Sequence, residues 1–373
     1  MEAGEILDEA LVRASTARHK TLLSDESIRE RIDFICRCTS NRSCVRLLLS
    51  CLLAKIHKPH IDVCKPYTEI GTQDSFSGRG YDEHWIAPFI SEHRLPVNST
   101  TAFLTPVLRN INRPLSIDIE LIGRPRELYQ KTLLLLDDVA ADRLDAGAAL
   151  AEAIRVLLLL RDEKLSRIES LVDSLKRAQG SVPLSSEAIC TLVGQHLRCK
   201  NASRLPVLVL TAAYKVLEFC WTERARPLNA HNAADRQTGA LGDIEIFLEG
   251  EDVIVTVYEM KLKCVSRDDI DVAKIKIARA ESRIQNYLFV TTDPIDSAVA
   301  EYAADFYEES GGIEIAIIGC LDFLRQFLHL FHRQRMAYLD EYQLLVLKEP
   351  DSAVNQSLKE AFLALRNAAE SGE

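Results

Sequence analysis

The sequence predicts an α/β protein, α+β overall, with a helix-rich N-terminal half and a mixed sheet in the C-terminal half. Between residues 201 and 345, strand-like and helical segments follow one another in the order α-β-β-α-β-α-β-α. The two strands separated by "EGED" form a hairpin, whereas each later strand–helix–strand connection requires parallel pairing. Apolar residues at three- and four-residue steps predict helices over much of residues 1–60 and 127–200.

The 373 residues are enough for about two domains. We expect a helix-rich region over residues 1–200, within which residues 61–126 form a loop-rich segment with many turn formers. An α/β domain is expected over residues 201–345. Residues 346–373 are expected to form a C-terminal amphipathic helix that serves as a docking or dimer element.

Composition and charge narrow the class of protein. The N-terminus lacks the basic and apolar regions of a signal peptide, and the apolar runs are too short to span a membrane, which together predict a cytoplasmic protein without membrane contact. A net charge of −10 argues against a protein that coats nucleic acid through electrostatics alone. The arginines between residues 65 and 126 still permit a local basic surface.

The chain contains ten cysteines, five of them between residues 36 and 64. The spacing of Cys36 and Cys38 is not that of a zinc knuckle, and no second pair follows at a finger-like distance. Cys44 and Cys51 lie seven residues apart on one apolar helix face. This pattern favours buried free thiols, with metal ligation as the alternative.

The candidate site begins at "VYEMKLK", the end of the second hairpin strand. Side chains alternate across a strand, so Glu259, Lys261 and Lys263 are expected on one face, together with Val255 and Val257. The charged residues come at the end of the strand, where the sheet opens to solvent. Exposed strands also alternate Glu and Lys as a simple solvated face, so this pattern alone does not decide between the two interpretations.

Asp243 begins the preceding strand and favours a catalytic site over a solvated face. In a hairpin, the start of one strand lies beside the end of the other, so Asp243 is expected within reach of Glu259 and Lys261. Two converging carboxylates need a cation, and an oxygen-only ligand set suits Mg²⁺. The lysine can orient a water molecule or stabilise developing negative charge.

An acid followed by Glu-x-Lys on the neighbouring strand resembles the pattern of the PD-(D/E)xK nuclease superfamily. A long helix precedes the hairpin and α-β-α-β follows it, as in the core of that superfamily. Gly242 stands where the family has proline. Glu218, on the helix before the hairpin, matches the place where many members have an additional acid.

A closer resemblance spans roughly residues 60 to 345. The segments "YTEIGTQDSFSGRGYDEHWIAPFI", "LPVNSTTAFLTPVLRNIN", "SRLPVLVLTAAYKVLEF" and "ADRQTGALGDIEIFLEG" are similar to the SacI family of type II restriction endonucleases. The resemblance implies a Mg²⁺-dependent endonuclease that cuts double-stranded DNA at a short palindrome as a homodimer, with Asp243, Glu259 and Lys261 as its catalytic set. The alternatives are a less specific defence or repair nuclease and a non-catalytic DNA-binding adaptor with the same fold.

Candidate DNA contacts lie in loop-like sequence. In "SFSGRGYDEHW", Arg79 stands between two glycines and suits a bidentate contact with guanine or phosphate, or else is a solvated turn residue. This segment is not a Walker A loop, so no nucleotide cofactor is expected. Asp74 and Ser77 are further polar candidates, for which capping and turn roles are the alternative. The remaining polar candidates are Arg109, Asn110, Arg113 and Arg236.

Overall fold

The structure is a computed structural model and describes residues 2–98, 100–178, 182–228, 240–251, 253–280 and 284–371. The chain divides into two compact units, Met1–Ser166 and Arg167–Glu373. The boundary is earlier than the expected one near residue 200. The reason is that the helix over Ser186–Leu197 buries its apolar side chains in the core of the second unit.

The first unit is helical, and its third helix is its centre. Every side chain from Ser43 to Ala54 is buried, because apolar residues occur on all sides of this part of the helix, and its one charged residue, Arg46, is buried with them. The last residues of its final long helix, from Arg167 onward, belong to the second unit. The main helices of this unit are α1 (Ala3–Thr16), α2 (Glu26–Arg37), α3 (Ser43–His57), α6 (Arg126–Ala140) and α7 (Ala146–Ala178).

Residues 58–125 consist of turns and short helical pieces, consistent with their content of Pro, Gly and Asn. The middle of this segment is continuous helix of changing pitch, with a π-helical turn between two short α-helices. Its elements are 3₁₀ turns at Thr68–Ile70 and Ala102–Leu104, α4 (Gly78–Tyr81), the π-helical turn Asp82–Ile86 and α5 (Ala87–Glu92).

All ten cysteines lie within the described residues and are free thiols. Cys36, Cys44 and Cys51 are buried in the core of the first unit. Burial raises the pKa of Cys44 to about 12, so this thiol stays protonated at neutral pH. Cys44 and Cys51 are therefore part of the packing, as the apolar helix face predicted, and Cys36 is buried in the same core.

The second unit combines one sheet with helices on both faces, as the sequence predicted. Within the described part of the chain, the sheet has five strands, β1 (Glu223–Ala225), β2 (Ile244–Leu248), β3 (Ile254–Lys261), β4 (Asn286–Thr291) and β5 (Glu314–Gly319). Their order in the sheet is β1-β2-β3-β4-β5. The pairs β1–β2 and β2–β3 are antiparallel, and β3–β4 and β4–β5 are parallel. The short first strand was not predicted.

The helices of the second unit are distributed over the two sheet faces. The helices are α8 (Ser186–Leu197), α9 (Leu205–Leu217), α10 (Arg267–Arg279), α11 (Ser297–Ala304), α12 (Phe306–Ser310), α13 (Cys320–Leu330), a 3₁₀ turn (His332–Gln334), α14 (Arg335–Lys348) and α15 (Gln356–Ser371). One face packs against α10 and α11, with Ile270, Ala273 and Ile277 of α10 in its core. The other face packs against α9 and α13, and α8, α14 and α15 complete the core on that side.

The hairpin contains a β-bulge that changes which residues share a face. Ile246 pairs with Thr256, but the next residue, Phe247, pairs with Ile254, so Val255 is an extra residue on β3. Val255 consequently packs into the core on the α9 side, whereas Val257 packs on the α10 side. The expectation that both valines share the face of Glu259 was therefore wrong for Val255.

The C-terminal helix α15 packs inside the second unit. Its apolar residues Leu358, Phe362 and Leu363 are buried, and a buried histidine joins this helix to its neighbours. His196 on α8 lies 3.0 Å from the Tyr342 hydroxyl and 3.0 Å from the Leu358 carbonyl oxygen. No described helix is both long and apolar enough to cross a membrane.

We expect His196 to make the second unit sensitive to acid. Burial lowers the pKa of His196 to about 4, below its unfolded value, so its contribution is complete above about pH 6.5 and is lost as the pH falls toward 4. Wild type should lose about 2 kcal/mol of unfolding free energy through this group between pH 7 and pH 4.5. Urea unfolding followed by Trp221 fluorescence measures the loss.

The controls are His196→Asn, which cannot titrate, and His332→Asn, which removes an exposed histidine. The pH dependence of His196→Asn should be shallower than that of wild type, and that of His332→Asn should equal it. Equal slopes for all three proteins would contradict the assignment.

Candidate active site

The hairpin brings Asp243 to the end of β3. Ile244, the first residue of β2, pairs with Tyr258, so Asp243 lies beside the last residues of the neighbouring strand. The Met260 backbone N–H donates a hydrogen bond of 2.7 Å to Asp243 Oδ2. Met260 stands between Glu259 and Lys261 in the chain, so the exposed carboxylate of Asp243 is held at the Glu-x-Lys segment.

Close packing of the two strands explains why residue 242 is a glycine. A Cβ atom at this position would lie 2.5 Å from a methyl group of Val257 and 2.7 Å from the Tyr258 carbonyl oxygen. Any side chain there, including that of proline, would push the start of β2 away from β3. The absence of a side chain at Gly242 thus permits the close approach that places Asp243.

Glu259 is fixed by two groups from other elements. Its Oε2 lies 3.2 Å from the Lys276 ammonium on α10 and 3.2 Å from the Tyr287 hydroxyl on β4. The side chain of Glu259 is 18% exposed, so most of it is shielded from solvent. These contacts hold the carboxylate in one orientation beside the sheet.

Lys261 is held between two carboxylates. Its ammonium lies 2.9 Å from Asp269 Oδ1 and 3.4 Å from Glu259 Oε1, and its side chain is 28% exposed. Burial alone would lower the pKa of Lys261, but the hydrogen bond to Asp269 and the charges of Glu259 and Asp269 outweigh burial and raise it. Lys261 is therefore a cation at neutral pH.

Asp269 has a double role at the start of α10. It forms a capping box with Ser266, whose hydroxyl and backbone N–H donate to Asp269 Oδ2 at 2.7 and 2.9 Å. Burial would raise the pKa of Asp269, but these hydrogen bonds and Lys261 lower it. The carboxylate is thus an ionised partner that holds the Lys261 side chain.

Sequence reasoning missed three members of this cluster: Asp269, Lys276 and Tyr287. The Ser-x-x-Asp spacing at residues 266–269 was a visible capping signal. Lys276 follows Ala273 at a three-residue step and precedes Ile277, and both neighbours face the sheet. Tyr287 carried no such signal, because its position opposite Val257 depends on the register of two parallel strands.

Glu218 lies elsewhere. It follows the last residue of α9, its side chain is exposed, and α9 packs on the sheet face opposite α10. The described contacts of Glu259 and Lys261 involve Asp269 as the additional acid and do not include Glu218. Lys263, expected on the same strand face, lies beyond the end of β3 and is exposed.

Two candidate DNA contacts have structural partners. Asp74 Oδ2 lies 2.6 Å from the Lys65 ammonium, and this hydrogen bond lowers the pKa of Asp74. Ser77 precedes α4, and its hydroxyl accepts a hydrogen bond of 3.0 Å from the Gly80 backbone N–H. Both side chains therefore serve the local fold of the loop, as the alternative interpretation held.

The two glycines around Arg79 are explained by packing. A Cβ at Gly78 would collide with the ring of Phe103 and with Pro66, so the backbone of this residue is pressed against the core. A Cβ at Gly80 would lie 2.9 Å from the Ser77 hydroxyl that caps the helix. The glycines thus allow a tight turn into α4, and this role does not depend on DNA.

Arg79 itself is exposed and available. Its side chain is 55% exposed and forms a 2.7 Å ion pair with Glu83 one turn later. Arg109, Asn110 and Arg113 are also exposed, and Asn110 has a left-handed backbone with φ of 60°. Arg236 lies outside the described residues.

We expect Arg79→Ala to separate stability from DNA affinity. An exposed ion pair contributes little, so the unfolding free energy should change by less than about 0.5 kcal/mol. If Arg79 makes a bidentate contact, the affinity for DNA should fall by about tenfold. Glu83→Ala is the matched control, because it breaks the same ion pair but keeps the guanidinium, and it should not weaken binding. Equal affinities of Arg79→Ala and wild type would make this loop purely structural.

A comparison of the chain with models of known protein families found no match, and a comparison with curated proteins found no significant match. The assignment of a function therefore depends on the geometry of the cluster itself.

Proposed function

We propose that this protein is a Mg²⁺-dependent endonuclease that hydrolyses phosphodiesters of double-stranded DNA at a short specific site, in the manner of a type II restriction endonuclease. The observation that carries the proposal is the hydrogen bond from the Met260 backbone to Asp243. It ties one carboxylate to the strand end that carries Glu259 and Lys261. The order of strands and helices around this hairpin, one antiparallel pair followed by parallel strands, supports the same proposal.

The donor set fits a magnesium ion. Asp243 and Glu259 supply carboxylate oxygens, and Mg²⁺ is usually bound through one or two carboxylates together with water and substrate phosphate oxygens. Among the described residues, no group of three or more His, Cys, Asp and Glu side chains could hold a metal ion, so the protein would supply only part of the shell. Bound there, the ion would neutralise phosphate charge and acidify a water molecule.

Lys261 would act as a cation and not as a base. Because its pKa is raised, its ammonium is fully protonated at neutral pH and can donate hydrogen bonds to a phosphate oxygen or to the attacking water. Hydrolysis joins the water oxygen to phosphorus and breaks one P–O ester bond, which leaves a phosphomonoester and a hydroxyl group. Negative charge grows on the phosphate oxygens during this step, and a fixed cation stabilises it.

Asp269, Lys276 and Tyr287 would position the reacting groups. Asp269 holds the Lys261 ammonium at 2.9 Å, and Lys276 and Tyr287 each hold Glu259 Oε2 at 3.2 Å. Groups held in this way need little rearrangement when substrate binds, which lowers the cost of reaching the transition state. Arg79, Arg109, Asn110 and Arg113 remain the proposed DNA contacts of the first unit.

One observation favours a non-catalytic adaptor as a second candidate. Both oxygens of Glu259 lie close to ammonium groups, Oε1 to Lys261 and Oε2 to Lys276. These cations neutralise a carboxylate that would otherwise attract a metal ion. An adaptor of this kind would bind DNA with unchanged affinity in the presence and absence of Mg²⁺ and would not cut it.

The test is a digest of plasmid and phage DNA with the purified full-length protein. In Mg²⁺ we expect discrete fragments whose ends map to one short sequence, and in EDTA we expect intact DNA. A smear of fragments would indicate the less specific nuclease. Intact DNA under both conditions, together with binding in a gel-shift assay, would indicate the adaptor. A palindromic cut site would support the proposed homodimer, which sedimentation of the protein on that DNA would then test.

A further inference from the structure

The second unit contains a cavity of about 500 Å³ that the proposed hydrolysis does not use. It lies between α9 and α13, on the sheet face opposite the one that carries Glu259 and Lys261. A volume of this size is typical of a site for a small organic ligand. The rings that line it are Tyr214, Trp221, Phe323, Phe327 and Phe331.

These rings form a connected aromatic wall. The ring centroids of Trp221 and Phe331 are 5.7 Å apart, and those of Phe327 and Phe331 are 5.3 Å apart. Part of the wall is open to solvent, since Trp221 is 39% exposed and Leu330, also in the lining, is 68% exposed. Exposed aromatic rings around a cavity suit the stacking of another flat ring.

Polar groups of the lining come from one side of α13. Asp322 and Gln326 lie one helical turn apart, and both are exposed. Gly319 allows the Asp322 carboxylate to lie against the backbone, because a Cβ atom at residue 319 would collide with it. A carboxylate that accepts hydrogen bonds beside an amide that both accepts and donates can recognise the edge of a heteroaromatic ring.

The cavity lies at the same sheet edge as the proposed active site. Lys261 pairs with Thr291, and Thr291 pairs with Gly319, which lines the cavity. Two strand spacings separate Lys261 from Gly319, a distance of about 10 Å. A DNA strand that passes from Lys261 around this end of the sheet could therefore place a base at the cavity on the other face.

We propose that this cavity binds a nucleobase. The flat ring would stack on Trp221 and Phe331, and an amino group on its edge would donate to Asp322, with Gln326 completing the polar contacts. The base could belong to an unstacked nucleotide of the DNA or to a free nucleoside, which share this chemistry. The first source rests on the proposed nuclease function, and the second does not.

Trp221 provides the measurement, because the chain has only one other tryptophan, Trp85. In a Trp85→Phe background and in EDTA, where no cleavage occurs, the protein is titrated with adenosine, with single-stranded (dA)₆ and with a hexamer of abasic sugar phosphates. We expect adenosine and (dA)₆ to quench Trp221 fluorescence and the abasic hexamer to leave it unchanged. Half-saturation by (dA)₆ at a tenfold lower concentration than adenosine identifies the strand as the source. Equal concentrations identify the free nucleoside.

Two variants test the cavity itself. Ala213→Phe fills it and should abolish the quenching, and Asp322→Asn should raise the half-saturating concentration about tenfold. Asp173→Asn is the matched control, because Asp173 is also an exposed aspartate paired with a cation three residues later, and it should behave as wild type. Should Ala213→Phe not fold, the exposed Asp322 variant decides.

The proposal is overturned if the abasic hexamer quenches Trp221 fluorescence as strongly as (dA)₆. It is also overturned if neither variant reduces the quenching, or if neither adenosine nor (dA)₆ quenches at all. The outcome is independent of the digest. If Trp221 fluorescence is quenched but DNA is not cut, the base site stands and the nuclease proposal fails. If DNA is cut but the fluorescence is not quenched, the nuclease proposal stands and the base site fails.

Discussion

Lys261→Ala is expected to lower the rate of DNA cleavage by about 10²–10³-fold, because a fixed donor to the developing phosphate charge is removed. Asp243→Asn should lower it at least as much, since a neutral amide is a poor ligand for Mg²⁺. The measurement is a single-turnover cleavage assay on a fragment that contains the mapped site. Because the pKa of Lys261 is raised above its ordinary value, wild-type activity should not fall through deprotonation of Lys261 at neutral or mildly alkaline pH.

Lys263→Ala is the matched control, because it removes a lysine two residues further along the chain, beyond the end of β3. It should cut DNA at the wild-type rate. Affinity for the same fragment in EDTA separates chemistry from binding and should change little in Lys261→Ala. Full activity of Lys261→Ala would remove this lysine from the reaction. A parallel loss of DNA binding and thermal stability would indicate a structural role instead.

The second large effect concerns the first unit, where Arg46→Ala is expected to cost about 3–5 kcal/mol of unfolding free energy. Arg46 and Asp82 form an ion pair of 2.9 Å with side chains only 2% and 0% exposed. Arg46 Nη1 also donates to the Asn98 carbonyl oxygen at 2.8 Å. Burial raises the pKa of Asp82, and Thr101 and Arg46 oppose this shift. Without Arg46, the buried carboxylate would lose its counter-charge.

Urea unfolding followed by Trp85 fluorescence, in a Trp221→Phe background, reports on the first unit, because Trp85 lies in the same π-helical turn as Asp82. The double variant Arg46→Met, Asp82→Leu should be more stable than Arg46→Ala, since no charge remains buried. The exposed pair Arg79–Glu83 from the same segment is the reference, with an expected cost below about 0.5 kcal/mol. Similar costs for both pairs would contradict the importance assigned to burial.

The hairpin and its charged residues were predictable because their signals are local. Alternation along β3 identified the face of Glu259 and Lys261, and the turn at "EGED", where Gly250 has φ of 88°, identified the pairing with β2. The bulge at Val255 was not predictable, because nothing in the alternation of β-branched residues indicates which strand carries an extra residue. The extra residue, Val255, comes before Val257, so Val257, Glu259 and Lys261 still alternate as the sequence predicted and lie on one sheet face.

The stretch "SFSGRGYDEHW" shows the limit of such reasoning most clearly. The two glycines beside Arg79 suggest an accessible guanidinium, but Gly78 is required by the ring of Phe103, which lies 25 residues further along the chain. Asp82 was one acidic residue of an acidic pair in the sequence, yet the structure buries Asp82 against Arg46 and leaves Glu83 at the surface. Burial of this kind depends on which helix packs over the segment.

By itself, the sequence determined the fold class, the mixed sheet and the two charged residues that end β3, because periodicity and turn chemistry are properties of neighbouring residues. Only the tertiary structure decided which groups surround those residues. Lys276 lies 17 positions after Glu259 in the chain, and Tyr287 lies 28 positions after it. Both contacts with Glu259 depend on how α10 crosses from β3 to β4. The physical reason is that strand register and helix packing are set by burial of the whole core, which no local pattern encodes.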